Sequence, residues 1–316
     1  MDPFVSVVIV NFNGLRFLES CLSSLTAQLY KNFEIIFVDN NSSDGSADYV
    51  REHYPSVTLI ETGKNLGFAG GTNAGIRAAR GDCILTLNND TITDPHFIEN
   101  LVRPMATDPR LGMCASKMLF PDGRINSTGI CISRSGAAWD RGIFEQDSGQ
   151  YETEEEVFGP CAGAALYRRA MLDETGLFDE DFFIFMEDVD LAFRARLAGW
   201  KCMYVPTARV THFMSGTIGK DSDNSVYYGN RNLLWNVIKN FPKRTLMICL
   251  PWIIGRSCAD IPYYILKGKG RVILKAKVSA IAGIFRMMRK RRNSVQKVPE
   301  AEIRKWIHSW MHFHKP

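Results

Sequence analysis

The sequence predicts an α/β protein built on a doubly wound, mostly parallel sheet. In the first hundred residues, short β-branched and aliphatic runs alternate with segments whose apolar residues recur at helical spacing. Polar or glycine-rich clusters follow these runs, at the strand ends where ligands bind in such sheets. A βαβαβαβ order of this kind predicts helices on both faces of the sheet.

Four strands and three helices are expected before residue 90. The strands are predicted at Val5–Val10, Phe33–Val38, Val57–Ile60 and Cys83–Leu87. The first helix is indicated by Leu18, Leu22 and Leu25, the second covers Ala47–Tyr54, and the third covers Asn73–Arg80.

Composition is that of a folded intracellular protein. With 316 residues, 46% of them hydrophobic and 23% charged, the chain can bury one large core and carry an appendage. Its eight cysteines form no CxxC pair, which predicts neither a zinc site nor a disulfide framework. The strand that starts at Val5 has no basic stretch before it, which argues against a signal peptide. We therefore expect a cytoplasmic location.

The last quarter of the chain differs from the rest, and we divide the chain into residues 1–240 and a helical, basic region 241–316. Its basic residues indicate an anionic neighbour; they are Lys267, Lys269, Arg271, Lys275, Lys277 and the cluster 286–292. The apolar run Leu246–Ile254 is broken by Pro251, Arg256, Asp260 and Pro262 too early for a membrane-spanning helix. A membrane surface is therefore favoured over nucleic acid. A packed amphipathic helix or a hairpin that forms a homo-oligomer would give the same pattern.

Polar clusters follow each of the four predicted strands. They are Asn11–Gly14, Asp39–Gly45, Gly63–Asn73 and Asn88–Asp90. Each cluster alone is ordinary turn chemistry, but four at one sheet edge predict a nucleotide site. The chain has no GxxxxGK[ST] loop, and Gly67–Gly71 does not match the GxGxxG dinucleotide motif. A different nucleotide chemistry is therefore needed.

A run of carboxylates set among aromatic and aliphatic residues covers Phe178–Leu191. Burial makes charge costly, so carboxylates in such surroundings are expected to serve chemistry. Desolvation can raise a carboxyl pKa toward the range of a general base.

These motifs together resemble the inverting family 2 glycosyltransferases of GT-A fold, especially their rhamnosyltransferase-like members. The resemblance rests on five segments, namely 5–14, 38–44, 65–75, 87–90 and 178–194, the last of them followed by Gly199 and Trp200. It covers residues 5 to about 235.

The resemblance implies a donor site and a metal site. Asp39 matches the residue that binds the donor pyrimidine, and Asp90 matches the last residue of a DxD motif whose first aspartate is here Asn88. His212 resembles the metal-binding histidine of the family, so Mn²⁺ or Mg²⁺ is expected at Asp90 and His212. The other donor-binding residues are expected to be Asn11, Asn13, Asn65, Gly71, Asn73, Asn88 and Arg231. Arg231 is equally well explained as a helix-surface arginine.

The resemblance also implies the catalytic residues. Asp188 matches the general base, and Glu187 is expected to orient the acceptor or the base. Asp188 and Asp190 could also cap a helix beginning near Val189. The two roles are compatible, and we assign the cap mainly to a neighbour and the base to Asp188. The QxxRW motif of processive polymer synthases is absent from the sequence, which favours transfer of one or a few sugars.

The function expected from sequence is transfer of a sugar, rhamnose by resemblance, from a dTDP- or UDP-sugar at the inner face of the plasma membrane. The acceptor would be a cell-surface glycan or its lipid-linked precursor, as in cell-wall or polysaccharide biosynthesis. Two alternatives remain open. A nucleotidyltransferase would need a Gly-rich basic loop after the first strand, which Asn11–Arg16 lacks. A non-catalytic sugar-nucleotide-binding scaffold is allowed by the lost aspartate, although it would not need Glu187 and Asp188.

Overall fold

The computed structural model describes residues 2–214 and 222–309. In chain order its strands are β1 (Val5–Asn11), β2 (Phe33–Asp39), β3 (Thr58–Glu61), β4 (Cys83–Asn88), β5 (Thr91–Thr93), β6 (Leu111–Leu119), β7 (Ile125–Ser127), β8 (Ile130–Ser133), β9 (Ala138–Asp140), β10 (Glu155–Glu156), β11 (Ala164–Arg168), β12 (Lys201–His212) and β13 (Ile307–His308). Its helices are α1 (Leu15–Thr26), α2 (Ser46–His53), α3 (Gly67–Ala78), α4 (Phe97–Thr107), α5 (Arg169–Thr175), α6 (Glu187–Leu197), α7 (Asp223–Asn240), α8 (Lys243–Leu266), α9 (Gly270–Ala282), α10 (Ile284–Arg292) and α11 (Glu300–Arg304).

The main sheet has the strand order β10-β12-β6-β11-β4-β1-β2-β3. Strands β1 to β4 pair in parallel, as the alternating sequence pattern predicts, whereas β11 is antiparallel to both β4 and β6. Both faces of the sheet are covered by buried hydrophobic clusters, which explains why β1 is a continuous apolar run. A second, small sheet has the order β13-β8-β9.

Helix α3 begins earlier than the sequence pattern predicted. The expected start was Asn73, but the glycine-rich segment from Gly67 onward is itself helical. The glycines allow close packing, because a Cβ atom at Gly71 would lie 2.7 Å from Val10 Cγ1, and one at Gly67 would collide with the carbonyl of Phe183. The glycines of this segment therefore allow close packing of the helix, and they do not form a loop around phosphates.

Helices α8 to α10 pack against α7 with one face. The indole Nε1 of Trp235 donates to the carbonyl oxygen of Ala280, and Phe182, Trp235, Ala280 and Met287 form a buried cluster. Helix α8 continues through Pro251 and Pro262, which the sequence pattern treated as interruptions. Within the described part of the chain, none of the helices combines the length and apolar character needed to cross a membrane. The predicted division at residue 240 stays a prediction, and residues 310–316 of its second part lie outside the described residues.

Candidate functional site

The ends of β1 and β2 form one hydrogen-bonded network. Asn11 and Asp39 are register partners, and Nδ2 of Asn11 lies 3.4 Å from Oδ1 of Asp39 and 3.0 Å from the Ser42 hydroxyl. The other carboxylate oxygen of Asp39 accepts from the backbone N–H of Ser42 at 2.9 Å. Asn13 joins the same turn, because its side-chain oxygen accepts from the Ser43 N–H at 2.8 Å. Three predicted donor-binding residues therefore meet at one edge, beside a cavity of about 290 Å³ that Asp39 lines.

The predicted donor-binding residues after β3 take structural positions. Asn65 accepts from Nδ2 of buried Asn40 at 3.1 Å, and Gly71 packs on Val10. Asn73 is buried, and its side chain exchanges two hydrogen bonds with the backbone of Phe178, at 2.8 and 3.0 Å. The structure thus joins Asn73 to the start of the acidic run, and donor contact by Asn65, Gly71 and Asn73 stays a prediction.

A larger cavity of about 480 Å³ lies next to this network. Its walls come from the end of β4, from β9, from the segment before β11, from the start of α6 and from α7 and α8. The residues predicted from sequence that line this cavity are Asn88, Glu187, Asp188 and His212. The structure therefore brings the predicted base and the predicted metal-binding histidine into one space.

Pairing of β5 with β12 places His212 beside Asp90. His212 opposes Thr91, the residue after Asp90, and its Nε2 lies 3.2 Å from Oδ1 of Asp90 and 3.2 Å from Nδ2 of Asn88. The other ring nitrogen, Nδ1, lies 2.9 Å from the side-chain oxygen of Asn126. Since an amide oxygen only accepts, Nδ1 carries a proton and Nε2 points toward the carboxylate.

The carboxylate of Asp90 and the imidazole of His212 fit a metal ion that takes few of its ligands from the protein. Two neighbouring ligands of an octahedral ion, each at about 2.1 Å, lie about 3 Å apart, which matches the spacing of Asp90 and His212. A carboxylate and an imidazole suit Mn²⁺, and a carboxylate suits Mg²⁺. Across residues 2–214 and 222–309, no three His, Cys, Asp or Glu side chains cluster closely enough to hold an ion by themselves. The remaining ligands would have to come from the substrate and from water.

Glu187 and Asp188 begin α6 at the wall of the cavity. The carboxylate of Asp188 accepts from the backbone N–H of Val189 at 2.7 Å and from that of Ala162 at 3.3 Å. Burial raises the pKa of Asp188 above the ordinary aspartate value. Burial, followed by the charge of Asp188, raises the pKa of Glu187 well above its usual value. Oε2 of Glu187 is buried and has no hydrogen-bond partner among the described residues. Two carboxyl groups therefore lie side by side, and burial disfavours the ionisation of both.

Asp190, from the same motif, has a different role. It is fully buried, and its oxygens accept from Nε of Arg194 at 2.9 Å, from Nδ2 of Asn240 at 2.8 Å and from Nζ of Lys239 at 2.7 Å. Burial alone would raise the pKa of Asp190, but the two cations outweigh burial and lower it. The N-cap residue of α6, Met186, makes no side-chain cap, and Asp188 and Asp190 lie in the first turn. Asp188 accepts from the Val189 N–H at this helix start, as the alternative allows, whereas Asp190 is bound by Arg194, Lys239 and Asn240.

The backbone before α6 is strained and held by α7. Phe183, Phe185 and Met186 have φ angles of 66°, 67° and 69°, a left-handed conformation that residues other than glycine adopt at a cost. Asn232 is fully buried and its Nδ2 donates to the carbonyls of Phe182, Ile184 and Phe185 at 2.8 to 2.9 Å.

Arg231 supports the same segment. It donates to the carbonyls of Asp181 and Phe182 at 2.9 and 3.0 Å, and its guanidinium carbon lies 4.1 Å from the centre of the Trp235 ring. It is buried, so it is not the surface arginine allowed as an alternative. The structure joins it to the backbone before α6, and contact with a donor diphosphate stays a prediction.

Sequence reasoning missed Asp140 and Arg256, which both line the large cavity. Burial, together with the nearby charge of Asp188, raises the pKa of Asp140 to about 6, although Ser127 and His212 oppose the shift. Arg256 was interpreted only as an interruption of an apolar run, and nothing in its local sequence connects it with Asp188.

A family model and a curated relative both match this chain. The model described as glycosyl transferase family 2 matches residues 6–176. An N-acetylglucosaminyl-diphospho-decaprenol L-rhamnosyltransferase from Mycobacterium tuberculosis (strain ATCC 25618 / H37Rv) is 30% identical over 246 residues, covering 70% of this chain and 80% of the relative.

Solved structures share the fold. A mannosyltransferase of Pyrobaculum calidifontis, PcManGT, in complex with GDP-Man and Mn²⁺, has a TM-score of 0.59 at 18% identity, covering 89% of this chain and 88% of the other. GalNAc-T7 with UDP, GalNAc and Mn²⁺ has a TM-score of 0.57 at 17% identity, covering 75% of this chain and 52% of the other. These two likenesses confirm the expected fold class.

Proposed function

The chain belongs to glycosyl transferase family 2, and we propose that it is an inverting, non-processive enzyme that transfers a single sugar from a nucleoside diphosphate sugar. The observation that carries the proposal is the shared cavity. Asp188, whose pKa burial raises, lines the same 480 Å³ space as His212, the neighbour of Asp90. A base and a site for a leaving diphosphate are the two parts that single displacement needs.

In the proposed reaction, the oxygen of an acceptor hydroxyl attacks the anomeric carbon of the donor. As this bond forms, the bond between the anomeric carbon and the diphosphate oxygen breaks, and Asp188 takes the hydroxyl proton. A single attack inverts the anomeric configuration. Burial and the charge of Asp188 raise the pKa of Glu187, which favours its protonated form, and Glu187 is proposed to orient the acceptor.

Asp90 and His212 would hold the divalent ion, Mn²⁺ or Mg²⁺. When bound, the ion supplies positive charge that stabilises the departing nucleoside diphosphate. Asn126 keeps the proton on Nδ1 of His212, so that Nε2 can act as a ligand. Asp39, at the edge of the neighbouring cavity, is proposed to bind the pyrimidine of a dTDP- or UDP-sugar.

Rhamnose and a lipid-linked or cell-surface glycan acceptor are the proposed substrates. Support comes from the name of the mycobacterial relative, which describes rhamnosyl transfer to a diphospho-decaprenol-linked sugar. The enzyme is proposed to work at the inner face of the plasma membrane, in cell-wall or polysaccharide biosynthesis. The exposed apolar side chains of α8 to α10, among them Leu266 and Phe285, support this location.

A donor screen by thermal shift tests the proposal. The protein is heated with dTDP-rhamnose, other dTDP-sugars, UDP-sugars and GDP-sugars, each with and without Mn²⁺. Binding to the native state raises the melting temperature. A shift that needs one pyrimidine donor and Mn²⁺, and that is lost in Asp39→Asn and Asp90→Ala, is the expected result. Absence of a shift with every nucleotide sugar would contradict the proposal and favour a protein that does not use such donors.

A further inference from the structure

Arg256 lies between two openings in the surface. On one side it lines the cavity that contains Asp188, and on the other it lines a groove of about 410 Å³ together with Trp252 and Gly255. Its side chain is 29% exposed, and its Nε lies 3.8 Å from Oδ2 of Asp260. A single arginine therefore joins the proposed catalytic cavity to a groove on α8.

The groove has room for a ligand. A Cβ atom placed on Gly255 would meet no heavy atom within 4 Å. Trp252 is exposed, and the guanidinium of Arg134 lies 5.3 Å from the centre of its ring. The groove is thus bounded by an aromatic side chain and a proline-containing stretch of helix, with a cation at one end.

Exposed apolar residues continue outward from the groove along α8 to α10. They are Met247, Leu250, Ile254, Tyr263, Ile265, Leu266, Leu274, Val278, Ile281 and Phe285. Asp260 is the sole acidic residue between positions 243 and 297, where Lys and Arg are frequent. An apolar, positively charged surface suits a ligand that carries both a hydrocarbon chain and negative charge.

We propose that Arg256 binds the diphosphate of an isoprenoid-linked acceptor, and that the groove at Trp252 and Gly255 holds the start of its isoprenoid chain. This inference rests on the proposed function, since it requires an acceptor sugar carried on lipid. It adds the site that recognises the carrier.

Such an acceptor carries three chemical groups in succession. The sugar hydroxyl must reach Asp188, the diphosphate follows the sugar, and the isoprenoid follows the diphosphate. Arg256 lines both the cavity that contains Asp188 and the groove at Trp252 and Gly255. A guanidinium binds phosphate oxygens through paired, charge-assisted hydrogen bonds. Bilayer phospholipid would contact the exposed apolar residues, but it would not require an arginine inside the catalytic cavity.

Calorimetric titration with farnesyl diphosphate tests the site without requiring sugar transfer. The full chain is titrated in the presence of excess UDP and Mn²⁺, so that the donor site is occupied. We expect Arg256→Gln and Gly255→Leu each to weaken binding about tenfold or more. Arg271→Gln, which removes an exposed charge on α9, is expected to change the affinity by less than about twofold.

Three results would overturn the inference. One is equal affinity in Arg256→Gln and wild type with an unchanged melting temperature. Another is displacement of farnesyl diphosphate by UDP, which would place its diphosphate in the donor site. The third concerns flotation with phosphatidylglycerol vesicles. If Arg256→Gln loses flotation to the same extent as it loses affinity for farnesyl diphosphate, Arg256 is a bilayer contact.

A transfer assay with the same variants separates this inference from the proposed function. If wild type binds farnesyl diphosphate through Arg256 but transfers no sugar to a diphosphate-linked acceptor, the proposed reaction fails and the carrier site stands. If wild type transfers sugar and Arg256→Gln leaves the KM for that acceptor unchanged, the carrier site fails and the reaction stands.

Discussion

Nε2 of His212 lies 3.2 Å from Oδ1 of Asp90, while Asn126 accepts the proton of Nδ1. In a neutral ring this geometry directs a lone pair at a carboxylate. Nδ2 of Asn88, 3.2 Å from Nε2, can donate to this lone pair, and a metal cation between the ring and the carboxylate would satisfy both groups. The two residues come together because β5 and β12 pair antiparallel.

Removing either residue should remove metal binding. We expect His212→Ala and Asp90→Ala to abolish Mn²⁺ binding in the presence of UDP and to lower transferase activity by about 100-fold or more, because metal sites lose even 10- to 100-fold when a supporting residue is changed. Calorimetry and the Mn²⁺ electron paramagnetic resonance signal measure binding. His96→Ala, which changes an exposed histidine, is the control. Unchanged Mn²⁺ affinity in both variants would exclude this pair as the site.

Asp188→Asn should remove the general base and leave the fold intact. Loss of a positioned base lowers kcat by about 10²- to 10⁴-fold, and the neutral amide avoids the cost of burying a charge. Donor affinity, measured by thermal shift, should stay close to wild type. The exposed Asp173→Asn serves as the control. A kcat within about twofold of wild type would show that another group accepts the proton.

The pH dependence should reveal Asp140. Asp188 acts as a base only when ionised, so kcat/KM should fall as pH decreases through its raised pKa. Asp140, with a pKa of about 6, repels Asp188 once ionised, and this repulsion raises the pKa of Asp188 in turn. In Asp140→Asn the acid limb should therefore move to lower pH. An acid limb at the wild-type position would show that the two carboxyl groups are not coupled.

Lys239→Met should destabilise the protein more than it changes its chemistry. Nζ of Lys239 lies 2.6 Å from Asp179 and 2.7 Å from Asp190, and all three side chains are buried. Removing the cation leaves two buried carboxylates short of positive charge, which costs about 3–5 kcal/mol. Urea unfolding measures the loss. Lys305→Met, which breaks an exposed pair with Glu302, should cost less than about 1 kcal/mol.

The same cluster predicts how wild-type stability responds to acid. The cations lower the pKa of Asp190 in the folded state below its unfolded value of about 4. Its contribution to stability is therefore complete above about pH 4 and is lost as pH falls through the lower, folded pKa. The urea concentration at the midpoint of unfolding should therefore decrease as the pH is lowered through that range. The decline should be smaller in Lys239→Met, where one of the cations that lower this pKa is missing.

Asn232→Ala should loosen the segment that carries the catalytic carboxylates. The variant loses three hydrogen bonds to backbone carbonyls that hold Phe183, Phe185 and Met186 in left-handed conformations. We expect kcat to fall by about tenfold or more, since misplacement of a reacting group by about 1 Å can cost 100-fold. Hydrogen exchange at residues 182–186 should accelerate. Asn100→Ala, which removes one exposed side-chain hydrogen bond to the Thr207 carbonyl, is the matched control, and equal exchange in wild type and Asn232→Ala would contradict the role given to Asn232.

Local patterns were sufficient to predict half of the candidate site. Clusters at the ends of parallel strands must meet at one sheet edge, and Asn11 and Asp39 do so as register partners. The resemblance of the carboxylate run to the family motif was sufficient to select Glu187 and Asp188 as candidate site residues. Asn73 and Arg231 could not be assigned in this way, because each is bonded to backbone groups about 50 or more positions away, at Phe178 and Phe182.

The sequence by itself determined the alternation of strands and helices, the parallel part of the sheet and the absence of a dinucleotide motif. These properties depend on residue type and spacing over a few positions, where periodicity and backbone preference act directly. Tertiary structure alone decided that Asp190 is an ion-pair residue, that Asp140 and Arg256 reach the cavity, and that α8 to α10 expose an apolar face. Each of these depends on which distant group lies within a few ångströms, because burial and neighbouring charge decide the state of an ionisable side chain.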